Sequence, residues 1–145
     1  MNYLTLPTEI TMTDVFTPRK RSQIMSRITS KDTSPETLVR SALHKAGYRY
    51  GLHVSDLPGK PDVVLRKYKT VIFINGCFWH QHKGCKRSSV PKTSQEYWIP
   101  KLERNVEKQK IDLKELKKLG WKVLIIWECE AKSDIKLLRK ISKIK

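Results

Sequence analysis

Acidic residues are scarce in this chain: 14 Asp and Glu stand against 30 Lys and Arg, a formal net charge of +16 over 145 residues. The excess is not confined to a tail, since basic residues run from Arg19 through Lys145. Such a balance favours a polyanion as partner, because neutralising phosphates releases counterions and drives association. A ribosomal-type or simply soluble basic protein satisfies the charge equally well. Cysteine is scarce too. Three thiols, an odd number, argue against a disulfide framework and for a reducing compartment in which thiols bind metal. No stretch approaches the ~20 apolar residues of a membrane-spanning helix, and no leader with a basic head and an apolar core opens the chain. A cytoplasmic protein with no membrane role is expected. Internal repeats and low-complexity linkers are missing, and the length suits one domain with one core. Residues 1–18 read as a disordered N-terminal extension, with Met12 an alternative start, and residues 19–145 as the single domain.

What is present concentrates in one stretch. Gly76-Cys77-Phe78-Trp79-His80-Gln81-His82-Lys83, with Cys85 close behind, follows directly on the apolar run Val71-Ile72-Phe73-Ile74. Thiolate and imidazole are the ligands zinc favours, and four of them close a tetrahedral structural site. Cys77, His82 and Cys85 supply three at compact spacing, and the remaining cysteine, Cys129, supplies the fourth. His80 is then free to face outward as a general base, since an imidazole titrates near neutrality. The alternative, in which His80 rather than His82 binds zinc, stays open. Phe78 and Trp79, with Trp98 downstream, read in two ways. They stack on bases that are cheapest to unstack at a mismatch, or they form a small core over the zinc loop.

Two carboxylates carry the same kind of ambiguity. Asp62 follows a Gly- and Pro-rich turn at the start of a strand, which places it at the sheet rim, where a nuclease holds Mg2+ beside a scissile phosphate. A turn aspartate capping its own backbone is the competing reading. Glu36 sits in the first turn of a helix, where the dipole alone favours an acid.

The elements follow from periodicity and punctuation. Residues 19–32 are basic and polar with apolar points at Ile24, Met25 and Ile28, which fits a short amphipathic helix or arm. Thr33-Ser34-Pro35-Glu36 is a helix start, Leu38, Val39, Ala42, Leu43 and Ala46 repeat at helical spacing, and Gly47 is the stop. Residues 48–54 read as a strand, and 62–65 and 70–74 as a hairpin pair. A long charged helix with Leu102, Val106, Leu113, Leu116 and Leu119 as its buried stripe ends at Gly120. Residues 121–127 form a continuous apolar run, expected as a central strand covered on both faces, and a basic helix starts near Ser133. This order predicts an α/β fold, a mixed sheet flanked by helices.

Five strings in register then carry a resemblance: Arg21-Ser22-Gln23-Ile24-Met25-Ser26-Arg27-Ile28, Lys31-Asp32-Thr33-Ser34-Pro35-Glu36, Leu57-Pro58-Gly59-Lys60-Pro61-Asp62, Phe73-Ile74-Asn75-Gly76-Cys77-Phe78-Trp79-His80 and Trp127-Glu128-Cys129. Together they resemble the very short patch repair endonucleases, bacterial enzymes that nick DNA at T:G mismatches, over nearly everything from Thr13 to Cys129. The resemblance implies a restriction-endonuclease-like fold with a structural zinc site at Cys77, His82, Cys85 and Cys129. It implies catalytic Mg2+ held by Asp62 and the backbone carbonyl of Ile74, with Glu36 supporting metal-bound water. His80 would be the catalytic histidine, and Asn75 belongs to the same catalytic set. Phe78, Trp79 and Trp98 would intercalate beside the mismatch, Met25 would enter from the minor groove, and Lys60 would contact DNA. A monomer acting on double-stranded T:G DNA in the bacterial nucleoid is implied, with a cytosine-5 DNA methyltransferase as functional companion. A restriction-type nuclease of other specificity and a non-cleaving zinc-containing DNA-binding protein are the alternatives. Two departures bear on activity. Asn75 stands where some members carry His, and Lys108-Gln109 stands where an Arg-Asp pair is often found.

Overall fold

The computed structural model describes residues 34–145. The N-terminal extension, the basic arm and Met25 therefore lie outside the described residues. Helix α1 spans Ser34–Lys45, strand β1 Gly51–Leu52, β2 Val63–Leu65 and β3 Thr70–Asn75; helix α2 spans Gln95–Lys118, strand β4 Lys122–Trp127, and helices α3 and α4 span Glu128–Ala131 and Asp134–Ile141. The strands lie in the order β1-β2-β3-β4. The first two pairings are antiparallel, and β3 runs parallel to β4 in a register that sets Ile72 opposite Leu124 and Asn75 opposite Trp127. A parallel pair needs a long crossover, and the loop bearing Cys77, His82 and Cys85, with α2, supplies it.

Alternation along the strands sorts the core into two layers. On one face Val63, Leu65, Ile72 and Ile126 pack with Val39 and Leu43 of α1, Ala131 of α3 and Leu137 and Ile141 of α4. On the other, Val64, Val71 and Phe73 pack with Leu116 of α2 and with Trp121. The sheet is thus mixed and covered by helices on both sides, as the sequence predicts.

Both long helices end in the same way. Gly47 and Gly120 take φ +85° and +87°, a left-handed turn that a Cβ would penalise. Each then closes with two bonds: Tyr48 N–H to Leu43 O and Gly47 N–H to His44 O, and Trp121 N–H to Leu116 O and Gly120 N–H to Lys117 O. In both cases the residue after the glycine packs in the same core cluster as the residue whose carbonyl it caps.

Three expectations are corrected, and one helix is added. The strand read over 48–54 is only Gly51–Leu52. Among the described residues β4 is an edge strand rather than a central one. Its apolar run records helices on both faces, a condition that does not distinguish an edge from a centre. Leu119 sits past the end of α2 and is 56% exposed. Helix α3, which begins immediately after β4, has no periodicity of its own to announce it; Trp127 N–H donates to Glu130 Oε1 at 3.1 Å, ending the strand and starting the turn.

Candidate functional site

Asp62 lies just before β2, and its backbone N–H donates to Ile72 O, so the last rung of the β2–β3 pairing fixes it at the sheet rim. Its side chain answers the next unpaired donor: Ile74 N–H donates to Asp62 Oδ2 at 2.7 Å. The turn before it brings α2 close. Gly59, at φ +74°, has no room for a side chain, because a Cβ there would lie 2.9 Å from Asp112 Cβ and 3.1 Å from the Phe73 ring.

Glu36, Lys60, Asp62, Ile74, Asn75, Trp79 and His80 all line one cleft of about 640 Å3 between α1, the sheet ends and α2. Residues far apart in sequence, singled out separately, converge here. Burial of Asp62, opposed by the Ile74 N–H and reinforced by the nearby Glu36 carboxylate, pushes its carboxyl up to about 6. Glu36 is itself buried and accepts a hydrogen bond from Arg40 at 3.0 Å. Two carboxylates crowded into one cleft with a backbone strand end are a hard-oxygen donor set that suits Mg2+. His80 is half-buried, and desolvation lowers its pKa, which keeps the imidazole neutral and able to accept a proton at pH 7. Its Nδ1 is buried without a hydrogen-bond partner among the described residues.

Asn75 is buried, and its amide meets Gln109 of α2 in a reciprocal pair, Nδ2 to Oε1 at 2.8 Å and Nε2 to Oδ1 at 2.9 Å. Asn75 and Gln109, both singled out above through the resemblance, are thus each other's partners. Truncating either residue alone leaves the other's amide unpaired, at a cost of roughly 1–3 kcal/mol. A double-mutant cycle of Asn75→Ala and Gln109→Ala in urea unfolding should show a coupling of at least about 0.5 kcal/mol. Additive losses would mean that the pair contributes nothing jointly.

The Cys/His cluster lies beside the cleft. One donor atom from each of Cys77, His82, Cys85 and Cys129 falls within 4.8 Å of the others. Donors around zinc at bonds of about 2.3 Å sit about 3.8 Å apart, so a small contraction seats the ion. Burial, together with the adjacent Cys129 and Cys85 thiols, pushes the Cys77 thiol up to about 12. A divalent cation is the natural compensation for ionising such a cluster. His82, not His80, joins the thiols. Trp127 stacks on the His82 ring at 4.1 Å and 7°, a second-layer role that the sequence did not suggest. Glu128 was missed as well: it lines the cleft, is buried, and bonds Arg87 at 3.0 Å and Lys132 at 3.3 Å. Its place in the string Trp127-Glu128-Cys129 was the available signal.

Phe78 lies deepest of the three rings. It is 2% exposed and packs with Leu102, Val90, Trp79 and Trp98, its ring edge-on to Trp79 at 5.1 Å and Trp98 at 5.5 Å. It is the centre of an aromatic cluster, the second of the two readings that its sequence leaves open. Trp98 is half-buried in the same cluster and lies outside the cleft, whereas Trp79 reaches it.

The family model for DNA mismatch endonuclease Vsr matches residues 13–87. The type II nicking enzyme V.NmeAIP of Neisseria meningitidis is 48% identical over 122 residues, covering 84% of this chain and 86% of its own. The type II nicking enzyme V.XorIIP of Xanthomonas oryzae is 44% identical over 119 residues, 82% of this chain and 87% of its own. The DNA mismatch endonuclease Vsr of Escherichia coli is 41% identical over 126 residues, 87% of this chain and 80% of its own. The class is therefore that of the DNA endonucleases, hydrolases of the phosphodiester bond. Within that class, the chain belongs to the DNA mismatch endonuclease Vsr family.

Proposed function

We propose that this endonuclease nicks double-stranded DNA on the 5′ side of the thymine in a T:G mismatch, leaving a 5′-phosphate end for very short patch repair. The observation that carries the reading is the convergence of Glu36, Lys60, Asp62, Ile74 and His80 on one cleft beside the Cys/His cluster. Asp62 and the Ile74 carbonyl would hold Mg2+, with Glu36 orienting its water. When bound, Mg2+ compensates charge on the scissile phosphate and lowers the pKa of bound water. His80, neutral because it is desolvated, takes the proton from the attacking water, whose oxygen bonds phosphorus as the 3′ oxygen leaves. Zn2+ at Cys77, His82, Cys85 and Cys129 is structural. Such mispairs arise from deamination of 5-methylcytosine, so a cytosine-5 DNA methyltransferase is the functional companion of a monomeric, nucleoid-associated enzyme, and residues 19–145 form its single domain.

Nicking of T:G and T:A duplexes of otherwise identical sequence, with and without Mg2+ and across a panel of flanking pairs, tests this directly. Only the T:G duplex with Mg2+ should be cut. Equal cutting of both would leave the nuclease and remove the mismatch role.

Mismatch preference should reside in Trp79, the ring at the cleft. Stacking on a base is worth about 1–3 kcal/mol, and Lys and Arg contacts to phosphate are indifferent to a mismatch. Trp79→Ala should shrink the T:G over T:A preference about tenfold or more. Phe78→Ala should instead lower stability by roughly 3–5 kcal/mol, as the loss of a buried ring does. Equal losses of Trp79→Ala on both duplexes would make that ring core packing as well.

A further inference from the structure

The C-terminal helix lies beyond Cys129, outside the stretch that carries the family resemblance, and the proposed mechanism makes no use of it. Its inner face is spent on the core through Leu137 and Ile141. Lys136, Arg139, Lys140 and Lys143 recur at three- and four-residue steps, which places them on one face of the helix and its final turn. They line a depression of about 290 Å3 whose wall includes Cys129 and Glu130. Only Lys140 is committed, donating to Ile125 O at 3.0 Å and pairing with Glu130 at 3.5 Å. Lys136, Arg139 and Lys143 are exposed, and their side chains have no ion-pair or hydrogen-bond partner among the described residues.

The geometry points to a second DNA-backbone contact, in which these three cations bind the phosphates of one strand flanking the nicked site. Like charges held together on a short helix favour a polyanion, whose binding releases counterions, and the substrate already brings one to this molecule. Its position fits. Glu128 lines the catalytic cleft and the next residue, Cys129, lines the basic depression, so consecutive residues border the two openings. From Lys136 to Ile141 the helix advances about 7.5 Å and Lys143 follows two residues past its end, a span comparable with about three phosphates at about 3.4 Å per strand step. The inference rests on the endonuclease reading of the cleft.

The test is the salt dependence of duplex binding for the zinc-loaded wild type and for K136Q/R139Q/K143Q. Two duplexes serve as probes: one covering only the cut site, and one extended by a helical turn on each side. Each lost phosphate contact removes about 0.9 from the log–log salt slope. The triple variant should therefore lower the slope on the extended duplex by about 2–3. Between 50 and 200 mM salt, wild-type affinity should fall about 40-fold more than that of the variant. R139Q alone should lower the slope by about 1, and the short duplex should show a smaller change. A folded, zinc-loaded triple variant whose slope on the extended duplex matches wild type overturns the inference and leaves the nuclease reading standing. A wild type that binds neither duplex sinks both.

Discussion

Asp62→Asn is expected to abolish nicking and, at neutral pH, to make the magnesium-free protein more stable. The two effects have one cause. Burial, with Glu36 nearby, raises the Asp62 carboxyl from 3.8 to about 6. A carboxyl that is easier to protonate in the folded state than in the unfolded one penalises folding once it ionises. That penalty is absent below about pH 4, grows as pH rises between the two values, and is complete above about pH 6. Each pKa unit is about 1.4 kcal/mol, so it amounts to at most about 3 kcal/mol. Asparagine removes the charge while keeping an oxygen for the Ile74 N–H. Urea unfolding of zinc-loaded protein in magnesium-free buffer should show the variant ahead of wild type at pH 7.5 and level with it near pH 4. Added Mg2+ should stabilise wild type only, since binding to the folded state is stabilising by mass action. A variant that nicks at the wild-type rate would take Asp62 out of the catalytic centre.

Cys129→Ser should have the larger structural effect. A structural zinc site contributes roughly 10–16 kcal/mol of apparent binding free energy, comparable with or larger than the ~5–15 kcal/mol stability of a whole domain. Serine leaves three donors and a poor fourth, so zinc should be released and the thermal transition should fall steeply or lose cooperativity. Cys129→His keeps a donor that zinc accepts and should retain much of the metal. Metal content per chain and a thermal scan read both outcomes. One zinc per chain with an unmoved midpoint in Cys129→Ser would exclude that thiol from the centre.

Much of this molecule is legible in its sequence, for identifiable reasons. Helix α1 is announced by Ser34-Pro35-Glu36 and closed by Gly47, because its caps are local chemistry. The hairpin of β2 and β3 follows from two short apolar runs joined by Arg66-Lys67-Tyr68-Lys69. What stayed hidden depends on contacts between remote segments. Asn75 and Gln109 are 34 residues apart, and nothing in either neighbourhood shows that the crossover helix brings them face to face. Phe78 and Trp79 are adjacent and chemically alike, yet one lies under Leu102 and the other at the cleft. Composition cannot separate them; the direction in which the loop leaves β3 does. Trp127 and Glu128 were overshadowed by the cysteine beside them, because a ligand is easier to recognise than the residues that hold it.

The parallel ladder gives the Cys/His cluster a further meaning. Asn75 lies opposite Trp127 on the last rung of β3 and β4, so Cys77 and Cys129 each follow two residues beyond it. Antiparallel neighbours can be closed by a tight turn, but parallel ends emerge on the same side and diverge. Here the cluster clasps them. A slip of one residue would turn every side chain of β4 to the opposite layer and carry the Cys129 thiol away from its companions. Zinc at this cluster, as proposed, would therefore be held only by a chain whose final strand has been added in the right frame. Metal uptake in this protein would act as a proofreading step for sheet assembly, accepting one alignment and rejecting its neighbours.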